Sequence, residues 1–428
     1  MRLNKGIVQS AIEEFALSED ELKKVREDFK NEITLPPCPP SEKGALKSIP
    51  LRGGRPKGDG SSSLKMLPSF LSTPTGNESG TYLALDFGGT NVRVLKIKLL
   101  TKGEYEIVNK VAAPLIKAGE YDFIHKDATG EELFDFIAKL IKEAINGDKG
   151  EIRLGHTFSF PSEQLDLANA KLISWTKEFQ TRNVEGENVT ELLKAALKRA
   201  NIENVIPVAV INDTVATLLT AAYADPNALI GSIYATGHNT CYLEKNYNGQ
   251  PMILNLESGG FSKVPRNGFD VILDERSEKR GAQFLEKATS GRYVGELFSI
   301  AAAKALESDK LFDFSSVDLC DMITNNSTSH FIKLRTNYAP TPDEAGLFAK
   351  LANNILTRSA LLVTATFLGL YDRIGEENLS IGIDGSLYGK NPFLQEIISG
   401  ELAKVSDKIS AFKVEDGSAI GAAIAAAC

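Results

Sequence analysis

The hydrophobic positions of this chain follow two different periods. Apolar runs bounded by turn residues predict strands at 82–99, 151–161, 205–213 and 231–244. Helical spacing of apolar or small residues predicts helices at 133–145, 214–224 and 417–428. Strands that alternate with helices along the chain in this way indicate an α/β fold.

Two of the predicted strand segments resemble copies of one unit. Residues 82–99 hold an apolar run, the Gly88-Gly89 turn and then alternating apolar positions, which predicts a strand, a tight turn and a second strand. Residues 231–244 repeat this pattern more weakly, with Gly237 in the turn. A repeat at so long an interval predicts a duplicated domain rather than a solenoid unit.

The N-terminal region predicts an amphipathic helix followed by irregular chain. Ser18 and Glu21 have the spacing of a capping box, and apolar residues follow on one face. We expect this helix to pack on a domain surface, with a partner-binding helix as the alternative. The turn-rich segments 36–40 and 52–63 predict loops, where the chain could pass between lobes or touch an anion.

Composition excludes several classes of protein. The chain has 428 residues, of which 43% are apolar and 24% charged, as in a globular protein of two or three domains. Its 48 basic and 56 acidic residues give a net charge of -8, which argues against a nucleic-acid or membrane-surface protein. A site for ATP or a sugar needs local positive charge only.

Cysteine and histidine usage points to a reducing compartment. The four cysteines and four histidines are scattered, so neither a structural zinc site nor a disulfide framework is expected. The chain shows no signal-peptide pattern and no apolar run long enough to span a membrane. The sequence therefore predicts a cytoplasmic protein with no membrane anchor.

The turn at Gly88-Gly89 is a candidate phosphate site. Adjacent glycines let backbone N–H groups approach an anion, and Thr90 and Asn91 add neutral hydrogen-bonding groups. Arg93 adds a fixed positive charge suited to phosphate, and Asp86 could reach a phosphate-bound Mg²⁺ through water. An ordinary hairpin turn would have a similar sequence, so the motif alone leaves both interpretations open.

Two further positions suggest phosphoryl-transfer chemistry. Asn212-Asp213 ends an apolar strand where ligands bind in open α/β sheets, and a carboxylate there can accept a proton from a hydroxyl. Asp is equally favoured as a helix N-cap, which is the structural alternative. Lys177, which follows Trp175 and Thr176, would stabilise charge on a transferring phosphoryl group, although most lysines are simply solvated.

Other polar side chains stand in apolar or glycine-rich surroundings. If they met in one pocket, their amides and carboxylates would suit a polyhydroxylated ligand, although each taken singly is typical of a structural residue. They are Ser159, Asn239, Glu257 and Glu286.

Taken in order, nine segments closely resemble the hexokinase family, the sugar kinases of the actin-like ATPase superfamily. The resemblance extends over residues 64–428. It is carried by LKMLPSFLSTPTGNESGTYLALDFGGTNVRV, LGHTFSFPSEQ, ISWTKEF, VAVINDTVATLL, YATGHNTCYLE, NLESGGF, QFLEKATSG, IGIDGSLYGKNPF and EDGSAIGAA.

The resemblance implies an α/β fold of two ribonuclease-H-like lobes, with mixed sheets flanked by helices and a cleft between the lobes. The smaller lobe would comprise residues 73–211 with the C-terminal helix 417–428. The larger lobe would comprise residues 212–416 with the N-terminal segment 1–72. The implied reaction moves the γ-phosphoryl group of Mg-ATP to the 6-hydroxyl of glucose, and of related hexoses, at the entry to glycolysis.

The same resemblance implies a role for each matched residue. Asp213 would be the base, with Lys177 and Arg93 offsetting charge, and Asp86 and Asp213 would hold Mg²⁺ through water. The implied sugar contacts are Ser159, Thr176, Lys177, Asn212, Asp213, Asn239, Glu257 and Glu286. The implied nucleotide contacts are Asp86, Gly88, Gly89, Thr90, Asn91, Arg93, Thr236, Gly237, Asp384, Gly385, Ser386, Gly417 and Ser418.

Two positions depart from the usual family pattern. Ile420 replaces a residue that is often basic, and His238 occupies a loop position where a small residue is more common. The pattern is that of one catalytic unit, as a monomer or homodimer, without the apolar helix that tethers some relatives to mitochondria. A catalytically weak sugar sensor and an actin-like ATPase with a protein partner are the alternatives. A zinc-containing repressor-type kinase would need clustered cysteines.

Overall fold

The computed structural model describes residues 2–33, 62–176 and 178–428. The strands are β1 Leu67–Pro68, β2 Ser79–Phe87, β3 Asn91–Thr101, β4 Glu104–Pro114, β5 Ile116–Lys117, β6 Tyr121–Asp122, β7 Ile152–Phe158, β8 Ser162–Gln164, β9 Ala170–Leu172, β10 Val205–Ile211, β11 Ala228–Tyr234, β12 His238–Tyr247, β13 Gln250–Asn255, β14 Leu379–Asp384 and β15 Ile409–Lys413.

The helices include every segment for which the sequence predicts one. They are α1 Lys5–Glu14, α2 Glu19–Glu32, α3 Gly130–Ile145, α4 Val189–Arg199, α5 Asp213–Ala224, α6 Gly268–Arg276, α7 Phe284–Thr289, α8 Gly291–Ala305, α9 Ser316–Thr324, α10 Thr328–Thr336, α11 Pro342–Ile374, α12 Ser386–Gly389, α13 Pro392–Ala403 and α14 Gly417–Ala427.

Two mixed sheets share one topology. The first has the order β10-β7-β2-β3-β4, and the second continues the equivalent order β15-β14-β11-β12-β13 with β1 at its edge. In each sheet the first two pairings are parallel and the next two antiparallel. The hairpins β2–β3 and β11–β12 therefore occupy equivalent places. This confirms the predicted α/β fold and the predicted duplication of the hairpin unit.

The helix that follows each repeat crosses to the opposite sheet. Helix α5 follows β10 but packs on β11, where a Cβ at Gly231 would lie 2.6 Å from Leu218 Cβ. Helix α14 follows β15 but packs on β2 and β7, where a Cβ at Gly155 would lie 1.9 Å from the Ala422 oxygen. The two helices also contact each other at Gly421 and Ala216. Small residues on α14 allow these close approaches.

The N-terminal helix prediction is confirmed and extended. Helix α2 has the expected capping box of Ser18 and Glu21, and it buries Val25 and Phe29. The ring of Phe29 contacts Phe261 edge-on at 5.0 Å, so the helix packs against the loop that follows β13. The preceding helix α1 was not predicted. The segment 36–40 and most of 52–63 lie outside the described residues.

The division of the chain into lobes stays a prediction. The first sheet uses strands between residues 79 and 211, and the second uses strands between 228 and 413 together with β1. Among the described residues, no helix combines the length and the apolar character needed to cross a membrane. The described cysteines Cys241, Cys320 and Cys428 are free thiols.

Candidate active site

The first predicted phosphate turn lies against the end of a neighbouring strand. Strands β2 and β7 are parallel neighbours, so the turn after Phe87 and the segment after Phe158 emerge at the same edge of the sheet. A Cβ at Gly88 would lie 3.0 Å from Ser159 Oγ, whereas a Cβ at Gly89 would meet open space. Gly88 therefore allows the turn to approach Ser159 closely. The structure brings a predicted nucleotide residue and a predicted sugar residue together here.

Arg93 is held between two carboxylates. It lies opposite Asp86 in the β2–β3 register, and its Nε and Nη2 donate to Asp86 Oδ2 at 2.8 and 2.5 Å. Its Nη1 donates to Asp416 Oδ1 at 2.5 Å, and Lys110 Nζ lies 3.9 Å from Asp416 Oδ2. Burial lowers the pKa of Arg93 while Asp86 and Asp416 raise it, with a net increase. Its charge is thus compensated within the protein.

Asp213 opens helix α5 directly after β10. The N-cap is Asn212, whose Oδ1 accepts hydrogen bonds from the Thr214 amide at 2.9 Å and from Thr214 Oγ1 at 2.5 Å. Asp213 is therefore the first helical residue, and its Oδ1 also accepts from the Thr214 amide at 2.9 Å. The N-terminal end of a helix favours a negative charge. The alternative of Asp213 as the N-cap itself is wrong, because Asn212 fills that position.

Asp384 lies at the end of β14, facing the start of α14. Burial raises its pKa, and the charge of Asp213 raises it further, while hydrogen bonds from the Gly385 and Gly417 amides and the charge of Arg93 lower it. A Cβ at Gly417 would lie 2.9 Å from Asp384 Oδ2. The predicted base and the predicted adenosine region are therefore close enough to interact electrostatically.

The second predicted phosphate turn lies beside a predicted sugar residue. A Cβ at Gly237 would lie 3.6 Å from Glu286 Oε2, and the Gly291 and Arg292 amides donate to the Ala235 and Thr236 carbonyls at 2.7 and 3.2 Å. Burial raises the pKa of Glu286, while Lys279 and a hydrogen bond from the His238 amide lower it.

Two predicted sugar residues, Asn239 and Glu257, belong to one hydrogen-bonded network. Asn239 Nδ2 donates to Asn255 Oδ1 at 2.9 Å and to Glu257 Oε1 at 3.2 Å, and Asn255 Nδ2 donates to Glu257 Oε1 at 3.0 Å. Glu257 has left-handed backbone angles (φ 54°), and its Oε2 lies 3.7 Å from Lys65 Nζ. Thr214 Oγ1 connects the network to α5 through a 3.2 Å contact with Asn255 Oδ1.

Thr176 follows β9 beside an aromatic cluster. The cluster comprises Phe87, Phe158, Phe160, Trp175 and Phe179. Thr176 is half-buried, and its carbonyl accepts from the Phe179 amide at 3.3 Å. The ring of Trp175 contacts Phe87 at the end of β2, so this segment packs near the first turn. Lys177 lies outside the described residues.

The C-terminal part of the predicted nucleotide region is bonded to strand β7 and to helix α5. The carbonyl of Ser418 accepts from Thr157 Oγ1 at 2.7 Å, and the carbonyl of Gly417 accepts from Thr220 Oγ1 at 2.9 Å. Gly385 has a positive φ of 124°, and a Cβ there would lie 2.5 Å from the Tyr234 oxygen, so only glycine fits before Ser386 and α12. The hydrogen bonds from Thr157 and Thr220 fix the start of α14 to β7 and α5.

The two departures from the family pattern are both buried. Ile420 is fully buried in the core on α14. His238 Nδ1 contacts the Ile233 carbonyl at 3.2 Å, its Nε2 is buried without a partner, and burial lowers its pKa to about 4. His238 therefore fills space as a neutral ring near Glu286. Neither side chain places a charge in the predicted nucleotide region.

Sequence reasoning missed several polar residues of the site. Asn255, Thr214, Lys65 and Asp416 each contact a predicted site residue. Asn255 and Asp416 belong to the quoted motifs NLESGGF and EDGSAIGAA, so the motifs themselves contained the signal. No group of three or more His, Cys, Asp or Glu placed to hold a metal ion occurs within 2–33, 62–176 and 178–428.

Comparisons of sequence agree over both halves of the chain. Two family profiles, each described as hexokinase, match residues 7–223 and 229–428. Hexokinase-1 of Schizosaccharomyces pombe is 32% identical over 408 residues, which cover 85% of this chain and 82% of that protein. Human Hexokinase-1 is 35% identical over 405 residues, which cover 84% of this chain and 43% of that longer protein.

Comparisons of structure lead to the same family. A crystal structure of a hexokinase superposes with a TM-score of 0.84 at 28% identity, covering 99% of this chain and 98% of the other. A hexokinase from Schistosoma mansoni complexed with glucose gives a TM-score of 0.79 at 29% identity, covering 99% of both chains. Because family profiles, relatives and folds agree over nearly the whole length, the chain belongs to the hexokinase family and is an ATP-dependent sugar kinase.

Proposed function

We propose that this hexokinase transfers the γ-phosphoryl group of Mg-ATP to the 6-hydroxyl of glucose, and of related hexoses, at the entry to glycolysis. The observation that carries the proposal is the network of Asn239, Asn255 and Glu257, which is joined through Thr214 to the helix that Asp213 opens. A site that groups amides and carboxylates in this way suits a ligand with several hydroxyls. The solved relative that was complexed with glucose supports the choice of sugar.

The sugar would be held chiefly through its hydroxyl protons. The amide oxygen of Asn239 already accepts the Thr240 and Ser258 amides at 2.7 and 3.1 Å, so that oxygen is occupied within the protein. The Glu257 carboxylate has further acceptor capacity, and the half-buried Glu286 carboxylate adds more. Ser159, Thr176, Asn212 and Lys177 complete the proposed sugar set.

Asp213 is the proposed base. It would orient the 6-hydroxyl and accept its proton as the hydroxyl oxygen bonds to the γ-phosphorus and the bond to the β,γ-bridging oxygen breaks, releasing ADP. Its place in the first turn of α5 fixes the backbone that carries it.

The nucleotide would bind between the two glycine turns and the start of α14. The proposed contacts are Gly88, Gly89, Thr90 and Asn91 in the first turn, Thr236 and Gly237 in the second, and Asp384, Gly385, Ser386, Gly417 and Ser418 for adenosine. Arg93 and Lys177 would offset phosphate charge, with Arg93 acting from within its pairing to Asp86 and Asp416.

Mg²⁺ is proposed to arrive with ATP as part of the substrate. Asp86 and Asp213 are carboxylates, the donor chemistry that Mg²⁺ prefers, and the proposed contact is through water. The ion supplies neutralisation of charge on the triphosphate. We further expect sugar binding to close the two proposed lobes, 73–211 with 417–428 and 212–416 with 1–72, and so to restrict hydrolysis by water. Cytoplasmic location and a monomeric or dimeric state stay predictions from the sequence.

A pair of matched sugars tests the proposal. Glucose and 6-deoxyglucose differ only in the acceptor hydroxyl, so both should bind, while only glucose should yield a phosphorylated product. Phosphorus NMR of the product should show a phosphate coupled to the protons on C6. Phosphorylation of 6-deoxyglucose, or a phosphate on another carbon, would contradict the assigned reaction. Tight glucose binding without any product would favour the sugar-sensor alternative.

A further inference from the structure

Asn255 lies where the elements of the proposed sugar site meet. It is the last residue of β13, it pairs with Cys241 in β12 and Leu67 in β1, and its exposure is 6%. Its Nδ2 donates to Glu257 Oε1 at 3.0 Å, and its Oδ1 accepts from Asn239 Nδ2 at 2.9 Å. The side-chain amide of Asn255 thus contacts two proposed sugar residues, Asn239 and Glu257.

The direction of the Asn239 amide requires this partner. Backbone amides of Thr240 and Ser258 both donate to Asn239 Oδ1, so the NH₂ group of Asn239 points away from them toward Asn255 Oδ1 and Glu257 Oε1. Asn255 must therefore present its oxygen to Asn239 and its nitrogen to Glu257. If the Asn255 amide were flipped, its NH₂ group would face the NH₂ group of Asn239, and its oxygen would face the Glu257 carboxylate.

Asn255 also reaches the helix of the proposed base. Thr214 Oγ1 has one proton, which is shared between Asn212 Oδ1 at 2.5 Å and Asn255 Oδ1 at 3.2 Å. Thr214 is fully buried and follows Asp213 directly. A displacement of Asn255 would therefore disturb the N-terminal turn of α5 as well as Glu257.

We infer that Asn255 is a positioning residue that orients Glu257 and Asn239 for sugar recognition and keeps them in register with the Asp213 turn. The inference rests on the proposed function. A buried donor or acceptor left without its partner is costly, so loss of the Asn255 amide would let Glu257 rotate or draw in water. Sugar affinity would fall more than turnover of bound sugar.

The substitution Asn255→Asp distinguishes the loss of the amide donor from the loss of side-chain volume. It keeps size and shape but puts a carboxylate in place of the NH₂ group, 3.0 Å from Glu257 Oε1. At low pH, one proton held between the two carboxylates replaces the missing donor. At higher pH that proton is lost, and repulsion separates the pair. The charged groups that also act on Glu257 are Lys65 at 3.7 Å and the carboxylate of Glu286.

The measurement is kcat and KM for glucose between pH 5.5 and 8.5, expressed as the ratio of variant to wild type. For Asn255→Asp we expect the ratio of kcat/KM to fall roughly 10- to 100-fold as pH rises, mainly through KM. For Asn255→Ala we expect the ratio of kcat/KM to be low at every pH. Asn354→Asp is the matched control, since Asn354 donates to the Ile12 carbonyl between α11 and α1, away from the site; its ratio should stay flat.

Two other outcomes would overturn the inference. A loss in Asn255→Asp that is independent of pH and parallels a lower melting temperature would mean a structural role only and overturn the inference. Wild-type kinetics in both Asn255 variants would overturn it as well. A melting curve of each variant at each pH shows whether the protein is folded under the assay conditions. A loss of kcat/KM in a folded variant then reports altered sugar recognition. A wild-type protein without glucose kinase activity would refute the proposed function instead, before any variant is compared.

Discussion

A substitution at Gly421 tests how the helix crossing supports the proposed nucleotide region. This residue lies at the crossing of α14 and α5, where an added Cβ would lie 2.1 Å from the Ala216 oxygen and 2.4 Å from Ala216 Cα. Both neighbouring atoms are backbone, so no side-chain rotation can relieve the contact. Gly421→Ala must therefore move one helix away from the other.

The size of the effect follows from these distances. Carbon atoms pack at about 3.5–4.0 Å, so the helices must separate by roughly 1–1.5 Å. Such overpacking costs about 1–3 kcal/mol, and a backbone-to-backbone clash belongs at the upper end. The start of α14 bonds to Thr157 and Thr220, so the same movement would disturb Gly417 and Ser418 and raise KM for ATP.

The assay is a urea denaturation midpoint for each variant, together with KM for ATP. Gly346→Ala in α11 is the matched control, because a Cβ there meets nothing within 4 Å. In an exposed helix interior that change should stabilise the protein by about 0.5–1 kcal/mol. A Gly421→Ala protein with the wild-type midpoint and wild-type KM for ATP would refute the reasoning about this crossing.

Three further predictions address single residues. Asp213→Asn should lower kcat about a hundred- to ten-thousandfold while glucose still binds, as followed by calorimetry; near-normal turnover would remove Asp213 from its role. Lys65→Met should raise KM for glucose roughly two- to fivefold, and added salt should shrink the difference, because this ion pair is half-exposed. Burial lowers the pKa of His156 to about 3, below that of the unfolded chain, so stability should be lost as pH falls below about 6.5, by up to about 1.4 kcal/mol per pH unit. His156→Leu should flatten this slope in urea midpoints at pH 7 and 5.5, and an unchanged slope would show that other groups cause it.

Local patterns predicted the elements that local chemistry determines. The hairpin at Gly88-Gly89, the capping box of Ser18 and the small-residue helix α14 all follow from residues a few positions apart. Helix α1 was missed, although it is capped by Asn4, whose side chain accepts from the Ile7 amide. Its apolar face is short, and it gains stability from packing on α8 and α11.

Long-range pairings escaped the sequence because spacing carries no information about them. Asp416 belongs to the motif EDGSAIGAA, and nothing in that motif indicates that it bonds Arg93, which is 323 positions away. Asn255 lies two residues from the predicted Glu257, and its role depends on the β12–β13 register that sets it opposite Cys241. The sequence therefore supplied the chemical groups of the site, and the strand register decided which of them touch.

The central claim is tested most directly by counting products. Purified protein with Mg-ATP is followed for ADP release with and without glucose, while glucose 6-phosphate is measured in the same samples. Glucose-dependent ADP should be matched one-for-one by glucose 6-phosphate, with little ADP in the absence of sugar. ADP release that does not depend on glucose, with no sugar phosphate formed, would contradict the account.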